Sequence, residues 1–213
     1  MSRYPNQKLF WEKHHKADTH KAYIDSPSRF AREVEELFPP GATVLELGCG
    51  VGADASYFAE QGNTITATDF SEAVIRQNQQ RYSNRNNLAF QVLDISKPFP
   101  FSKHSYDVVY AHLSLHYFTD SVTRKIVNYI HTVLKPDGLF CFMCKSTDDP
   151  LYGKGIQIEK DMFEKEGHIR HFFSETYAKE LFNKKFNIQL LESGKEDLYG
   201  YPSAYIQVVG RNI

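Results

Sequence analysis

The chain has 213 residues, 41% of them hydrophobic, which is enough to bury one good core and too little for two ordinary domains. Its 25 Lys and Arg against 26 Asp and Glu leave a formal net charge of -1, excluding a global field that would draw it onto nucleic acid or an acidic membrane. With no apolar run of 18 residues and no signal-peptide zoning, the expectation is a cytoplasmic chain, monomer or homodimer, taking a small molecule and neither nucleic acid nor membrane.

In chain order, "NQKLFWEKHH" and "SPSRFAREVEELF" predict two helices, the second capped near Ser26 or Ser28. "ATVLELG" (42–48) then reads as a strand and runs into "GCGVGA", three glycines at alternate positions before the helix "ADASYFAEQ". Glycines there let backbone approach a ligand where side chains would collide, and a helix N-terminus offers unpaired N–H groups. The next strand, "NTITATD" (63–69), ends in Asp69, 21 positions after Gly48, the spacing of a carboxylate that accepts ribose hydroxyls. Asp69 can also simply cap the following helix, "SEAVIRQNQQRY", for which Ser71 is the other candidate N-cap. Loop and acid together indicate an adenosine-type ligand.

"LAFQVLD" (88–94) and "YDVVYAHL" (106–113) are strands joined by "ISKPFPFSKHS", which has room for no more than a short helical turn. "DSVTRKIVNYIHTVL" is a helix and "GLFCFMCK" (138–145) a fifth strand. Cys141 and Cys144 stand three apart on that strand, so their thiols point to opposite faces and cannot converge on a metal; no metal site is expected. The stretch 146–173 is long, polar and glycine-punctuated, either a lid or a misread element. A helix in "SETYAKELFNKKF" and strands at 187–193 and 203–210, antiparallel across "GKEDLYGYP", complete the chain. The alternation defines an α/β class: a Rossmann-like three-layer sandwich built on a mostly parallel sheet.

Glu46 lies two residues before the first glycine, giving "ELGCGVG". With Asp69 in "TATDFS", Asp94 in "VLDIS" and "LKPDG" before the fifth strand, residues 41–145 resemble a class I S-adenosylmethionine-dependent methyltransferase. The resemblance implies a seven-stranded sheet with an antiparallel C-terminal hairpin, and one domain over 1–213. Its parts would be an N-terminal helical lid (1–40), a cofactor core (41–145), an insert (146–173) and a C-terminal helix with strands (174–213). It also implies roles: Gly48, Cys49, Gly50 and Gly52 against the methionine part of S-adenosylmethionine, Glu46 orienting the loop, Asp69 on the ribose and Phe70 on the adenine. Asp94 and Ile95 would line the adenine pocket, and Ala111 and His112 would pass beside the sulfonium. By layout the chain is similar to tellurite-resistance-type and thiopurine-type members.

"AHLSLHYF" after the fourth strand lacks the acid or Asn with Pro-Pro-aromatic common in enzymes that methylate amino groups of nucleic acids or proteins, which turns the expectation toward a small acceptor. His112 and His116, four apart, would share a face on a helical turn, and either can take a proton near neutral pH. His168, Arg170 and His171, with Tyr199 and Tyr201, are the expected acceptor wall, suited to an anionic or aromatic molecule; Trp11 belongs to the lid. "GCGVGA" also satisfies G-x-G-x-x-A, so a nicotinamide-dependent oxidoreductase is the competing enzyme. A non-catalytic S-adenosylmethionine-binding protein is the competing non-enzyme.

Overall fold

The run Val44 to Leu47 is apolar on both sides of the backbone, which suits a strand covered on both faces. The computed structural model describes residues 26–198 and 200–213. The elements are α1 (Arg29–Glu35), β1 (Thr43–Leu47), α2 (Ala53–Glu60), β2 (Thr64–Asp69), α3 (Glu72–Arg81), β3 (Leu88–Val92), β4 (Tyr106–His112) and α4 (Asp120–Val133). They continue with β5 (Leu134–Lys145), β6 (Ile156–Glu159), β7 (Met162–Lys165), β8 (His168–His171), α5 (Glu175–Phe182), β9 (Phe186–Leu198) and β10 (Tyr201–Asn212). The first expected helix, with Trp11, and Tyr199 lie outside the described residues.

Seven strands form one sheet in the order β3-β2-β1-β4-β5-β10-β9. β1 is parallel to β2 and β4, and the order reverses there, opening a crevice at the C-terminal ends of the strands. β10 runs antiparallel to β5 and β9, the expected edge hairpin. Among the described residues, no helix is long and apolar enough to cross a membrane.

Two cores flank the sheet. Ile126, Val127 and Ile130 of α4 and Leu181 and Phe182 of α5 pack on Leu45, Leu47, Phe140 and Phe142. On the other face, Phe30 and Val34 of α1, Phe58 of α2 and Ile75 of α3 pack on Val44, Tyr110 and Cys141. Cys144 belongs to the first core and Cys141 to the second, so the two thiols do point apart. Phe182 lies stacked on Phe140 at 5.2 Å, and a side chain of that size contributes about 1.5–3 kcal/mol by burial. Ser28, Ser71 and Ser174 each cap a helix, accepting from Ala31, Val74 and Tyr177 backbone N–H groups.

The β3–β4 connection stays within the expected limit of a short helical turn and holds none; Phe99 and Phe101 anchor it against the α4 core. Two other stretches differ from their expected form. Residues 146–173 hold a three-stranded antiparallel sheet, β6-β7-β8. Its four-residue strands are too short for a periodic signal, and the β7–β8 turn uses Glu166 and Gly167 at φ 55° and 79°, a geometry usually announced by Asn-Gly or Asp-Gly. The connection "GKEDLYGYP" is mostly strand, with Lys195 opposite Ala204 and Leu198 opposite Tyr201, so the β9–β10 ladder extends past the edge of β5.

Candidate active site

The glycine loop closes over the end of β2. Gly48, Gly50 and Gly52 have φ of 80°, 50° and 78°, a region that costs other residues free energy. Gly48 is the tightest: a Cβ there would lie 2.5 Å from Cβ of Ser114. The Gly48 and Cys49 N–H groups both donate to the Thr68 carbonyl at 2.8 Å. Gly50 N–H donates to Asp69 Oδ2 at 3.1 Å, and Asn78 of α3 donates to the Gly50 carbonyl at 2.7 Å. Asp69 is not the cap of α3: its Oδ1 accepts from Ser71 N–H, and the Ser71 hydroxyl does the capping. Asn78 and Ser114 were not expected in the site; their partners are 28 and 66 residues away in the chain, and no local pattern marks them.

The floor of the loop is acidic. Glu46 is buried and its Oε2 has no hydrogen-bond partner among the described residues. Burial, then the Asp54 and Asp69 carboxylates, hold its carboxyl well above the usual range. The same burial, with Glu46 and Asp69 beside it, pushes the Cys49 thiol up, so Cys49 is a packing residue and no thiolate. Asp54, in the first turn of α2, accepts from Ser28 N–H at 2.6 Å, from the Ser28 hydroxyl at 2.9 Å and from the Tyr110 hydroxyl at 2.7 Å. One buried carboxylate thus ties α1, α2 and β4 together behind the loop.

His112 and His116 do not share a helical face. His112 ends β4, and its Nδ1 lies 3.6 Å from Asp54 Oδ2 while Nε2 has no partner among the described residues. His116 sits in a 3-10 turn, Leu115–Tyr117, reached through Leu113 at φ 52° and Ser114, whose hydroxyl is also unpartnered. The positive φ at Leu113 is what breaks the helical spacing. Burial lowers both histidines below their usual value; at His112 the Asp54 carboxylate opposes that shift, whereas at His116 neighbouring cations deepen it.

β8 is brought against this turn, with Tyr117 stacked on His168 at 5.3 Å. Strand alternation separates the other expected wall residues: His168 and Arg170 share one face, while His171 turns to Phe173, Tyr177 and the Phe118 backbone. Tyr201 is 65% exposed at the end of the β9–β10 hairpin, opposite Leu198. Lys145, at the end of β5, bonds Asp149 Oδ2 and the Ser203 hydroxyl, each at 2.8 Å. Asp94 is exposed and accepts from the Ser96 N–H and hydroxyl, with Lys97 nearby; these bonds lower its pKa although partial burial alone would raise it. Ile95 and Ala111 face the α4 core, and Phe70 is half-buried beside the loop.

A glycine loop at the first strand of this sheet order, with an acid on each of the first two strands, defines the class I S-adenosylmethionine-dependent methyltransferase fold, whose cofactor is S-adenosylmethionine. Residues 44–138 match the family described as a methyltransferase domain, and the chain carries a domain of that class. Phosphoethanolamine N-methyltransferase 1 of Triticum aestivum is 31% identical over 62% of this chain and 28% of its own length. A human protein, the mitochondrial arginine-hydroxylase NDUFAF5, is 31% identical over 68% of this chain and 41% of its own. The chain therefore spans less than half of either relative. Among solved structures, a Burkholderia thailandensis 1,6-didemethyltoxoflavin-N1-methyltransferase with S-adenosylhomocysteine bound superposes with TM-score 0.74 at 20% identity, covering 96% of this chain and 86% of that one.

Proposed function

We propose that the protein moves the methyl group of S-adenosylmethionine to a small-molecule acceptor, with the cofactor across the ends of β1 and β2 and the acceptor over the turn that follows β4. The observation that carries this reading is the acid floor under a glycine loop: Glu46 is buried with an unpartnered oxygen, and its charged neighbours are Asp54 and Asp69. A ligand with a cationic sulfur and an ammonium group suits those carboxylates. The diphosphate of a nicotinamide dinucleotide would be repelled by them, which disfavours the oxidoreductase.

In this reading Gly48, Cys49, Gly50 and Gly52 lie along the methionine part, Glu46 takes the ammonium and Asp69 accepts the ribose hydroxyls. Phe70, Asp94 and Ile95 border the adenine, Ile95 through its backbone because its side chain is in the core. The bound cofactor supplies an electrophilic methyl carbon. With it bound, Nε2 of His112 would take the proton that an acceptor held over the turn releases as its lone pair engages that carbon and the sulfur leaves with the carbon–sulfur pair. Asp54 Oδ2, 3.6 Å from Nδ1, favours a proton on that side of the ring, and Nε2 has no partner among the described residues. The relatives' names support a small acceptor, phosphoethanolamine in one and didemethyltoxoflavin in another. The whole chain, 1–213, is read as one domain whose 146–173 insert walls the acceptor; of the expected N-terminal lid, residues 1–25 lie outside the described residues and α1 belongs to the core instead.

The test is a thermal shift with S-adenosylhomocysteine followed by turnover on a panel of phenols, amines, thiols and carboxylic acids. Stabilisation by S-adenosylhomocysteine, lost in Asp69→Ala, is expected. A shift with NADH alone would reverse the cofactor assignment, and cofactor binding without turnover on any acceptor would favour the binding-only protein.

A further inference from the structure

His116 is 1% exposed, and neither ring nitrogen meets a hydrogen-bond partner among the described residues. A neutral imidazole carries one donor and one acceptor, so a buried ring with both unmet is a place built for a ligand. Its ring lies 4.2 Å from Tyr117, whose stacking on His168 lays β8 against the turn. After its burial, the groups that bear most on His116 are the cations Lys145 and Arg170, with the His168 and His112 rings beyond them. Lys145 is committed to Asp149 and Ser203. Arg170 is half-buried on β8 and enters no ion pair with a described residue.

We propose that His116 and Arg170 form a subsite for an anionic group, a carboxylate or a phosphate, carried by the methyl acceptor. The proposal rests on the methyl-transfer reading and names the acceptor's class. The crevice then has two poles. Glu46, Asp54 and Asp69 under the glycine loop face the cationic end of the cofactor, and Arg170, His116 and His168 on the β8 side face the anionic end of the acceptor. The guanidinium fork matches two oxygens of either anion, and a His116 N–H supplies a third bond that no protein group accepts. An anion there also favours protonation of His116, which links its binding to pH.

The experiment titrates inorganic phosphate and, separately, acetate into protein saturated with S-adenosylhomocysteine, at pH 6 and pH 8, by calorimetry and by NMR of labelled histidine. Saturable binding of one anion is expected, tighter at pH 6, with the His116 resonance shifting toward its protonated position. Which of the two anions binds separates a phosphate-bearing from a carboxylate-bearing acceptor. Arg170→Gln should weaken anion binding at least tenfold while leaving S-adenosylhomocysteine affinity within twofold, and Arg170→Lys should keep part of it. Normal S-adenosylhomocysteine binding with no saturable anion, or anion binding untouched by Arg170→Gln, overturns the subsite. Anion binding that Arg170→Gln abolishes in a protein that ignores S-adenosylhomocysteine keeps the subsite and overturns the methyl-transfer reading instead.

Discussion

Gly48 and His112 carry the most specific consequences of single side chains. A methyl group at residue 48 meets Ser114 Cβ at 2.5 Å and must also hold φ at 80°. The backbone strain alone is on the order of 1–3 kcal/mol. Gly48→Ala should therefore lower the urea midpoint and weaken S-adenosylhomocysteine binding more than tenfold. Adding Ser114→Gly removes the clash but not the strain, so the double variant should recover only part of the loss; full recovery would mean that φ is not the constraint. At His112, burial keeps the ring neutral at pH 7, its pKa below 6.5. As a base it loses competence only as pH falls through that lowered value, so kcat/KM should show an acid limb below 6.5. Asp54 raises the His112 pKa, so Asp54→Asn should move the limb to still lower pH and reduce kcat. An unchanged kcat in His112→Asn at pH 7.5 would remove it from the mechanism.

Between elements, two buried polar nodes hold the crevice in shape. Ser28 caps α1 and bonds Asp54 through both its N–H and its hydroxyl, so Ser28→Ala gives up a cap and a buried carboxylate bond together. The cost should reach about 2 kcal/mol in urea denaturation, the upper end for a cap alone; a loss under about 0.5 kcal/mol would mean that Asp54 does not anchor α1. The second node, Lys145 with Asp149, joins β5 to the 146–151 turn and, through Ala204 N–H, to β10. Asp149 is fully buried, so Lys145→Met strands its charge, and about 3–5 kcal/mol of stability should go with it. Neither node was legible in the sequence: Ser28 meets Asp54 across 26 residues, and the Lys145–Asp149 pair, four apart, reaches Ser203 and Ala204 across 58 and 55, with no motif to mark either. The seven-stranded sheet was legible, since strands such as "VLEL" and "FCFMC" bury both faces and so read as apolar runs. The β6–β8 sheet was not: β6 buries none of its side chains, Ile156 being 70% exposed, and without a buried face there is no alternation to read. The glycine loop and Asp69 were legible as neighbours because a fixed spacing across one strand–helix–strand unit brings Gly50 N–H onto Asp69. The gathering of His116, Tyr117 and His168 depends on Leu113 turning the chain and β8 returning to it, which spacing does not encode.

For the whole molecule, acid sensitivity follows from where its histidines lie. His112, His116, His131 and His171 all have pKa values lowered below 6.5, burial being the largest cause for each. The unfolded chain takes up protons as pH falls through about 6.5, while the folded chain resists them until its lower values are reached. More protons are then bound by the unfolded state, so stability must fall as pH drops in that window. Asp94 and Asp107 have pKa values below 3.8, so their contribution is lost only under more acidic conditions and leaves the window clean. Glu46 works in the opposite sense. Its raised pKa means that the folded state keeps a proton that the unfolded chain has released above about 4.5, so its penalty grows as pH rises through the same range. Four histidines outweigh the one opposing carboxyl, so the melting temperature should decline from pH 7.5 to pH 5.5, ahead of the Asp94 and Asp107 transitions. His116→Asn, which cannot titrate, should flatten that decline by the share His116 holds. A melting temperature that is constant or rises over this window would show that the histidines open to solvent in the folded state, and would take with it the dry, unpartnered environment on which the acceptor subsite depends.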